Sequence, residues 1–365
     1  MIKKLIAISN HGAILGGGEH SFLDLLSHLS DPWNVLAVVP EEGELAARLE
    51  KKDVKSRVIS LPSIKPWYFL DILSSLKNYF NLCRRTNATL IYANGSRAAF
   101  YAGIVGRILK IPMIWHCRIT ARDPFLDFVL CGLSSCIIAN SKATKMRFNS
   151  RIQRNVRVVY NGIDLHQFQV SNIPKPALVK PDWKVVLSVA RASRWKKHDL
   201  LLSAFEIIAK AYQNAHLICL GSPDSLEPDW WRYLQDCSKK SDHSERIHWV
   251  GQVDDVRPWY RAADVMVLPS ENEPFGRVLV EAMASGVPVV ASGSGGIPEI
   301  IRHKRDGLLV YSGNKDEFAQ AVINIFKNHH LRKKLILSGL ERSKMFGIKA
   351  HTEGMIEVFN TNQKK

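Results

Sequence analysis

The sequence predicts an α/β protein made of two doubly wound parallel-sheet domains. Three observations predict it. At 365 residues the chain is long for one hydrophobic core, so two domains are the default. Short apolar runs alternate with amphipathic stretches along its whole length, the pattern of repeated βαβ units. That alternation is interrupted once, at residues 171–182 (SNIPKPALVKPD), where three prolines without periodicity read as a linker. The expected division is a first domain over 1–170, a linker over 171–183 and a second domain over 184–345. A tail at 346–365 completes it.

Composition narrows the class. Apolar content of 46% and charged content of 23% describe an ordinary globular protein. The longest apolar stretch, 125–139, is broken by Asp127 and by Gly132-Leu133-Ser134-Ser135, so no bilayer span is expected. Met1-Ile2-Lys3-Lys4 leads only to a short apolar run ended by Ser9-Asn10-His11, which does not read as a signal peptide. Six scattered cysteines without CxxC or Cys/His spacing point to reduced thiols in a cytoplasmic setting and away from structural zinc. The net charge of +16 is concentrated, with 14 Lys/Arg against 2 Asp/Glu (net +12) between residues 77 and 160. Such a block should attract an anionic membrane surface or a polyanion. No helix-turn-helix, RNP or zinc-finger pattern accompanies it, so nucleic acid is not the expected partner.

The first half opens with a strand at 3–9, a glycine turn containing Gly16, Gly17 and Gly18, and an amphipathic helix at 21–29. Strand, glycine turn and helix start make a phosphate-approach loop, although a dinucleotide fingerprint is absent. Strands follow at 35–39 and 57–60, with a helix at 43–51 between them. Residues 66–85 form an amphipathic helix with aromatics near its start, fitting either a core-facing helix or an interfacial membrane contact. Next come a strand at 90–93, a helix at 96–109 and a strand at 112–116 closed by His116. A histidine at a strand's carboxyl end lies at the ligand edge of such a sheet, where it could orient a ligand or move a proton. The half ends with a helix at 125–133, a strand at 136–139, a Ser141-capped helix to 148 and a strand at 156–159.

The second half begins with a strand at 184–189, then a loop holding Arg191 and Lys196 before a helix at 200–211. Two cations on the ligand edge suit a diphosphate that no metal neutralises. Strands at 216–220 and 247–250, the latter followed by Gly251, lead to the most informative stretch, 264–300. It reads as strand 265–268, loop 270–276, helix 277–285, strand 287–291, loop 292–296 and a second helix start at 297–299. Both helices should aim positive dipole ends at one spot, where an anion would sit. Glu273 and Glu281 beside an anion site suit hydroxyls, which points to a phosphate-linked polyhydroxylated group such as a nucleotide-sugar.

Arg191, Lys196, Val250-Gly251, Glu273-x7-Glu281, Gly295-Gly296-Ile297-Pro298-Glu299 and Asp306-Gly307-Leu308-Leu309-Val310 resemble the retaining glycosyltransferases of family 4. Gly16-Gly17-Gly18-Glu19, His116, Asn140-Ser141 and Asn161-Gly162-Ile163-Asp164 fit the same family more loosely. The resemblance implies the GT-B architecture, two Rossmann-like domains facing across a cleft, with a final helix returning to the first domain. It implies that Arg191 and Lys196 hold the donor diphosphate, Glu281 the ribose, and Glu273 with the backbone of Pro274, Phe275 and Gly276 the transferred sugar. Val250 and Gly251 would lie near the base, Gly16–Gly18 near the phosphates, and His116 near the sugar. The family's lysine is usually followed by glycine, and here Lys197 follows, so either lysine could reach the phosphate, with Lys196 preferred.

The family further implies retention at the anomeric carbon, no cofactor and no metal, and the chain contains no D-x-D pair to hold one. The implied activity moves a hexose-type sugar from a nucleoside-diphosphate donor to a lipid-linked, lipopolysaccharide or polysaccharide acceptor at the inner membrane face. Two alternatives stay open: a nucleotide-sugar epimerase of the same fold, and a non-catalytic polyanion-binding protein.

Overall fold

The computed structural model describes residues 3–170 and 172–363, which form two compact units. One comprises Met1–Ile163 with Gly347–Lys365, the other Asp164–Phe346. Each is built on one parallel sheet with the crossover order that leaves a topological switch point, the place where ligands enter open α/β sheets.

The first sheet has seven strands: β1 (Lys3–Ser9), β2 (Trp33–Val39), β3 (Ser56–Val58), β4 (Leu90–Asn94), β5 (Met113–Cys117), β6 (Cys136–Ala139) and β7 (Val156–Val158). Their order is β3-β2-β1-β4-β5-β6-β7, so the switch lies between β1 and β4. Ser9 pairs with Asn94, and Asn94 with His116, which sets three polar residues side by side along the carboxyl edge. Alternate residues feed two cores. Ile6, Ile8, Ile91 and Ala93 meet the helices Phe69–Thr86, Ser96–Leu109 and Pro124–Leu133 on one face. Leu5, Ala7, Leu90 and Tyr92 meet the helices Gly17–His28 and Ile348–Asn362 on the other. Phe359 of the last helix packs edge-on against both Trp33 and Tyr92.

The second sheet has six strands: β8 (Lys184–Val189), β9 (Ala215–Leu220), β10 (Ile247–Gly251), β11 (Val265–Leu268), β12 (Val289–Ser292) and β13 (Leu308–Val310). The order β10-β9-β8-β11-β12-β13 puts the switch between β8 and β11. Helix His198–Ala211 buries Leu201, Phe205 and Ile208, one stripe at helical spacing, against Val186 and Leu217. Each such side chain contributes about 1.5–3 kcal/mol by leaving water.

Four sequence expectations shift. The helix expected to start at 21 begins at Gly17, so Gly17 and Gly18 are its first turn rather than loop. β5 runs through Cys117, so His116 is interior to the strand instead of closing it. The helix expected over 141–148 is a single turn, Lys142–Lys145, although Ser141 does cap it by accepting from the Thr144 N–H. The helix starting at 297 is also one turn, Ile297–Ile300, and supplies too short a dipole to match Arg277–Ala284. All six cysteines are free thiols. Among the described residues, no helix is long and apolar enough to cross a membrane.

Candidate functional site

In the second unit, the loops after β11 and β12 are locked together by close backbone approach. Gly295 has φ +59°, and a Cβ there would sit 2.3 Å from the Glu273 carbonyl oxygen; one on Gly296 would sit 2.5 Å from that of Pro274. No side chain survives such contacts, so glycine is required. The Gly296 N–H donates to the Glu273 carbonyl at 2.7 Å, and the Ser294 hydroxyl donates to that of Ser270. Gly276, at φ +99°, then turns the chain into the helix Arg277–Ala284. Phe275 is buried edge-on against Phe346, so only its backbone is presented outward beside Pro274.

This scaffold fixes two buried glutamates. Glu273 accepts from Lys196 Nζ at 2.6 Å, an ion pair whose two side chains are about a tenth exposed. Lys196 Nζ also lies 4.0 Å from the centroid of the Trp195 ring. Lys197 takes left-handed backbone (φ +55°) and turns away to Glu271, 3.3 Å distant. Of the two lysines, Lys196 is therefore the one held at Glu273.

Glu281 accepts from Arg277 Nε at 2.8 Å and from the Tyr260 hydroxyl at 3.0 Å. Burial, followed by the adjacent Glu281 carboxylate, holds the Tyr260 hydroxyl well above its ordinary pKa, so it stays a donor. Arg191 Nε lies 3.3 Å from Asp224, which also accepts from the Ser193 hydroxyl at 2.7 Å. Burial opposes ionisation of Asp224, but the Ser193 and Leu226 hydrogen bonds with the Arg191 charge outweigh it and lower its pKa. Tyr260, Arg277 and Asp224 carry no motif; 21 residues separate Tyr260 from Glu281 and 31 separate Ser193 from Asp224.

The Val250-Gly251 end of β10 meets β9 where the Gly221 N–H donates to the Gly251 carbonyl at 2.8 Å. Gly251 has φ +85° but open space around a notional Cβ, so its backbone angle alone selects glycine there.

In the first unit, none of Gly16, Gly17 and Gly18 adopts left-handed backbone, and Gly16 is the extended residue before the helix. The Gly18 carbonyl accepts weakly from the Asn94 side-chain amide at 3.4 Å. His116 is fully buried, with Nδ1 2.8 Å from the Tyr92 hydroxyl and 3.3 Å from Arg118 Nη2. An arginine N–H can only donate, so Nδ1 is the acceptor and Nε2 carries the proton. Burial, then the nearby Arg118 and His351, pushes the His116 pKa well below its usual value. His116 is thus a neutral N–H donor, whose Nε2 has no partner among the described residues.

Among the described residues, no three His, Cys, Asp or Glu side chains gather as metal ligands do. The second unit's polar groups instead form three carboxylate–cation pairs, Lys196–Glu273, Arg277–Glu281 and Arg191–Asp224, on the segments that follow β8, β9 and β11. Such a set can hold hydroxyls and phosphates and offers no nucleophile placed against a general base.

Family models match both halves: glycosyltransferase family 4 over residues 15–167 and glycosyl transferases group 1 over 170–342. An uncharacterized glycosyltransferase of Methanocaldococcus jannaschii is 34% identical over 221 residues, covering 57% of this chain and 55% of that protein. The lipopolysaccharide core biosynthesis glycosyltransferase LpsE of Rhizobium meliloti is 31% identical over 210 residues, covering 57% and 58%. The chain spans about half the length of the first curated relatives it matches. Among solved structures, Anabaena HepE in complex with UDP and glucose superposes with a TM-score of 0.86 at 23% identity, over 98% of this chain and 100% of that one. Sucrose-phosphate synthase from Thermosynechococcus elongatus gives a TM-score of 0.80 at 21% identity, over 98% of both. The two Rossmann-like parallel-sheet units therefore have the GT-B fold, and the chain belongs to glycosyltransferase family 4.

Proposed function

We propose that this chain is a retaining, metal-independent glycosyltransferase that moves a hexose-type sugar from a nucleoside diphosphate to a glycan or lipid-linked acceptor. One observation carries the reading: at the switch point of the second sheet Glu273 is buried on one of two interlocked loops and Glu281 on the helix Arg277–Ala284 that follows it, with Lys196 bound to Glu273. Buried carboxylates there suit sugar and ribose hydroxyls, and Lys196 with Arg191 suits the diphosphate between them. In this arrangement the two cations stabilise the leaving diphosphate, the term most enzymes of this chemistry need most. Glu281, held by Tyr260 and Arg277, takes the ribose; Glu273 takes the transferred sugar. His116, neutral and fully buried, is not a base in this reading.

HepE is in complex with UDP and glucose, which supports trying uridine diphosphate glucose first as donor. LpsE serves lipopolysaccharide core biosynthesis, which favours a glycan or lipid-linked acceptor. An anionic membrane surface as the working site is supported by the first unit's basic block and by exposed apolar side chains near it. Trp67, in the 3-10 turn Pro66–Tyr68, and Phe69 and Leu70, at the start of the helix that follows it, are more than half exposed, as are Phe125 and Phe128 on another helix of the first unit. Both helices flank Ser96–Leu109 on the same face of the sheet.

Thermal unfolding against a panel of nucleotide-sugars, followed by turnover of any that stabilise the protein, tests the reading. Stabilisation by one donor, abolished by Glu281→Ala, is expected. Undiminished turnover in Glu281→Ala overturns it, and epimerised donor without an acceptor would make the protein an epimerase.

A further inference from the structure

We infer that Arg118 is the anchor of a subsite for an oxyanion, a phosphate or carboxylate group borne by the acceptor. Its identity as the acceptor's group rests on the transferase reading; the oxyanion site itself does not.

Arg118 follows β5 in the first unit and reaches along the carboxyl edge of the sheet. Its Nε donates to Asn94 Oδ1 at 2.6 Å and its Nη1 to Asn161 Oδ1 at 2.5 Å. Nη2 reaches the Tyr92 hydroxyl at 3.4 Å and His116 Nδ1 at 3.3 Å. Its Cδ lies 3.4 Å from where a Cβ on Gly18 would stand, which sets the side chain at the β1/β4 switch point beside the first turn of helix Gly17–His28. Arg118 is thus half-buried, oriented by partners on β4, β5 and the loop after β7, and located where this fold admits ligands.

Every one of those partners is neutral. Two are amides, one a phenol, and one an imidazole that burial and Arg118 itself keep unprotonated. Two more deeply buried arginines are treated differently. Arg147 donates to both oxygens of Asp127 at 2.5 and 2.7 Å, and Arg277 to Glu281 at 2.8 Å. Among the described residues Arg118 has no carboxylate within ion-pair distance, although an aspartate at either asparagine position would have supplied one. Taking a cation partly out of water without a counter-ion is costly, and a fixed guanidinium loses little further freedom on binding an anion. A guanidinium has five N–H donors and these partners take four contacts, so at least one N–H is left for a ligand. A planar, pre-oriented fork with uncompensated charge is what recognition of phosphate or carboxylate requires.

The test measures thermal unfolding of the full chain with inorganic phosphate and, separately, acetate, against chloride at equal ionic strength. It is run in an Arg191→Gln/Lys196→Gln background, which removes the second unit's cations. Stabilisation by at least one of the two anions is expected to persist there, phosphate alone marking a phosphoryl group and both marking any oxyanion. Adding Asn161→Asp supplies an internal counter-ion beside Nη1 and is expected to weaken anion binding at least tenfold while leaving the protein folded. Arg118→Lys, which keeps the charge but loses the fork, is the second variant and should weaken it severalfold. No stabilisation in the background protein, or stabilisation untouched by both first-unit variants, overturns the inference. Absence of nucleotide-sugar binding by the unsubstituted chain, with the anion response intact, would instead fell the transferase reading alone.

Discussion

Lys196 Nζ and Glu273 Oε2 stand 2.6 Å apart, joining the loops that leave β8 and β11, neighbouring strands of one sheet. The pair fixes the distance between the cation proposed for a phosphate and the carboxylate proposed for hydroxyls before any ligand arrives.

Breaking that pair should cost stability as well as binding. Lys196→Met leaves Glu273 buried without its cation, an expected loss of about 3 kcal/mol in urea unfolding. Lys196→Met/Glu273→Leu should recover most of it, because no lone charge remains. Neither variant should bind a nucleotide-sugar. A double variant as unstable as the single one would show that the pair is not the source of the cost.

Gly251 and Gly295, two of the positive-φ glycines of the second unit, should respond very differently to alanine. Gly251→Ala meets open space and should cost only the backbone term, about 1–2 kcal/mol. Gly295→Ala drives a Cβ into the Glu273 carbonyl and should cost more than about 3 kcal/mol or abolish folding. Equal losses at the two sites, measured by thermal unfolding, would contradict the interlocked-loop geometry.

Acid should destabilise the second unit through His198. Its buried imidazole has neither ring nitrogen partnered among the described residues, and burial, then Lys196, lowers its pKa to about 3. The unfolded chain takes up that proton near the ordinary value of about 6.5. The contribution of neutral His198 is therefore complete above that value and is lost as pH falls from about 6.5 toward 3. His198→Gln should remove about one proton from the uptake that accompanies unfolding between pH 6 and 4. An unchanged slope of stability against pH would exclude this account.

Membrane attachment should depend on apolar side chains as well as charge. Co-sedimentation with vesicles containing anionic phosphatidylglycerol is expected for the intact chain and should fall with salt. Trp67→Ser/Leu70→Ser should weaken it roughly tenfold or more, since each exposed side chain that enters the interface contributes about 1 kcal/mol or more. Binding that ignores both lipid charge and this double substitution would rule the face out as the attachment surface.

Much of the architecture is readable from the chain alone. Residues 136–139, 184–189 and 265–268 form strands with the bounds their apolar runs imply, because strands buried on both faces leave continuous hydrophobic stretches. The glutamate pair was legible for a related reason: Glu273, Gly276, Glu281, Gly295 and Gly296 lie within one strand–loop–helix repeat, where spacing in sequence is nearly spacing in space. Element ends were less legible, since their partners are remote. Helix Ser96–Leu109 is secured by Asn10, whose Oδ1 accepts from the Ala98 N–H at 2.9 Å. Amphipathicity predicted a helix over 66–85 without deciding whether its aromatic start faced core or solvent, and packing leaves Trp67, Phe69 and Leu70 outside.

By itself, then, the sequence determined the two parallel-sheet units, their loops and the residue types at the second unit's switch point, because all of these follow from local periodicity and turn chemistry. Only the tertiary structure decided which charges meet. It turned Lys196 to Glu273 and Lys197 to Glu271, brought Tyr260 to Glu281, and kept His116 neutral. It also surrounded Arg118 with Asn94 and Asn161, 24 and 43 residues away, in a cradle without a counter-ion among the described residues. The physical reason is the same throughout. Secondary structure is set by neighbours along the chain, whereas the state of a charge is set by what folding places beside it and by how much water it removes.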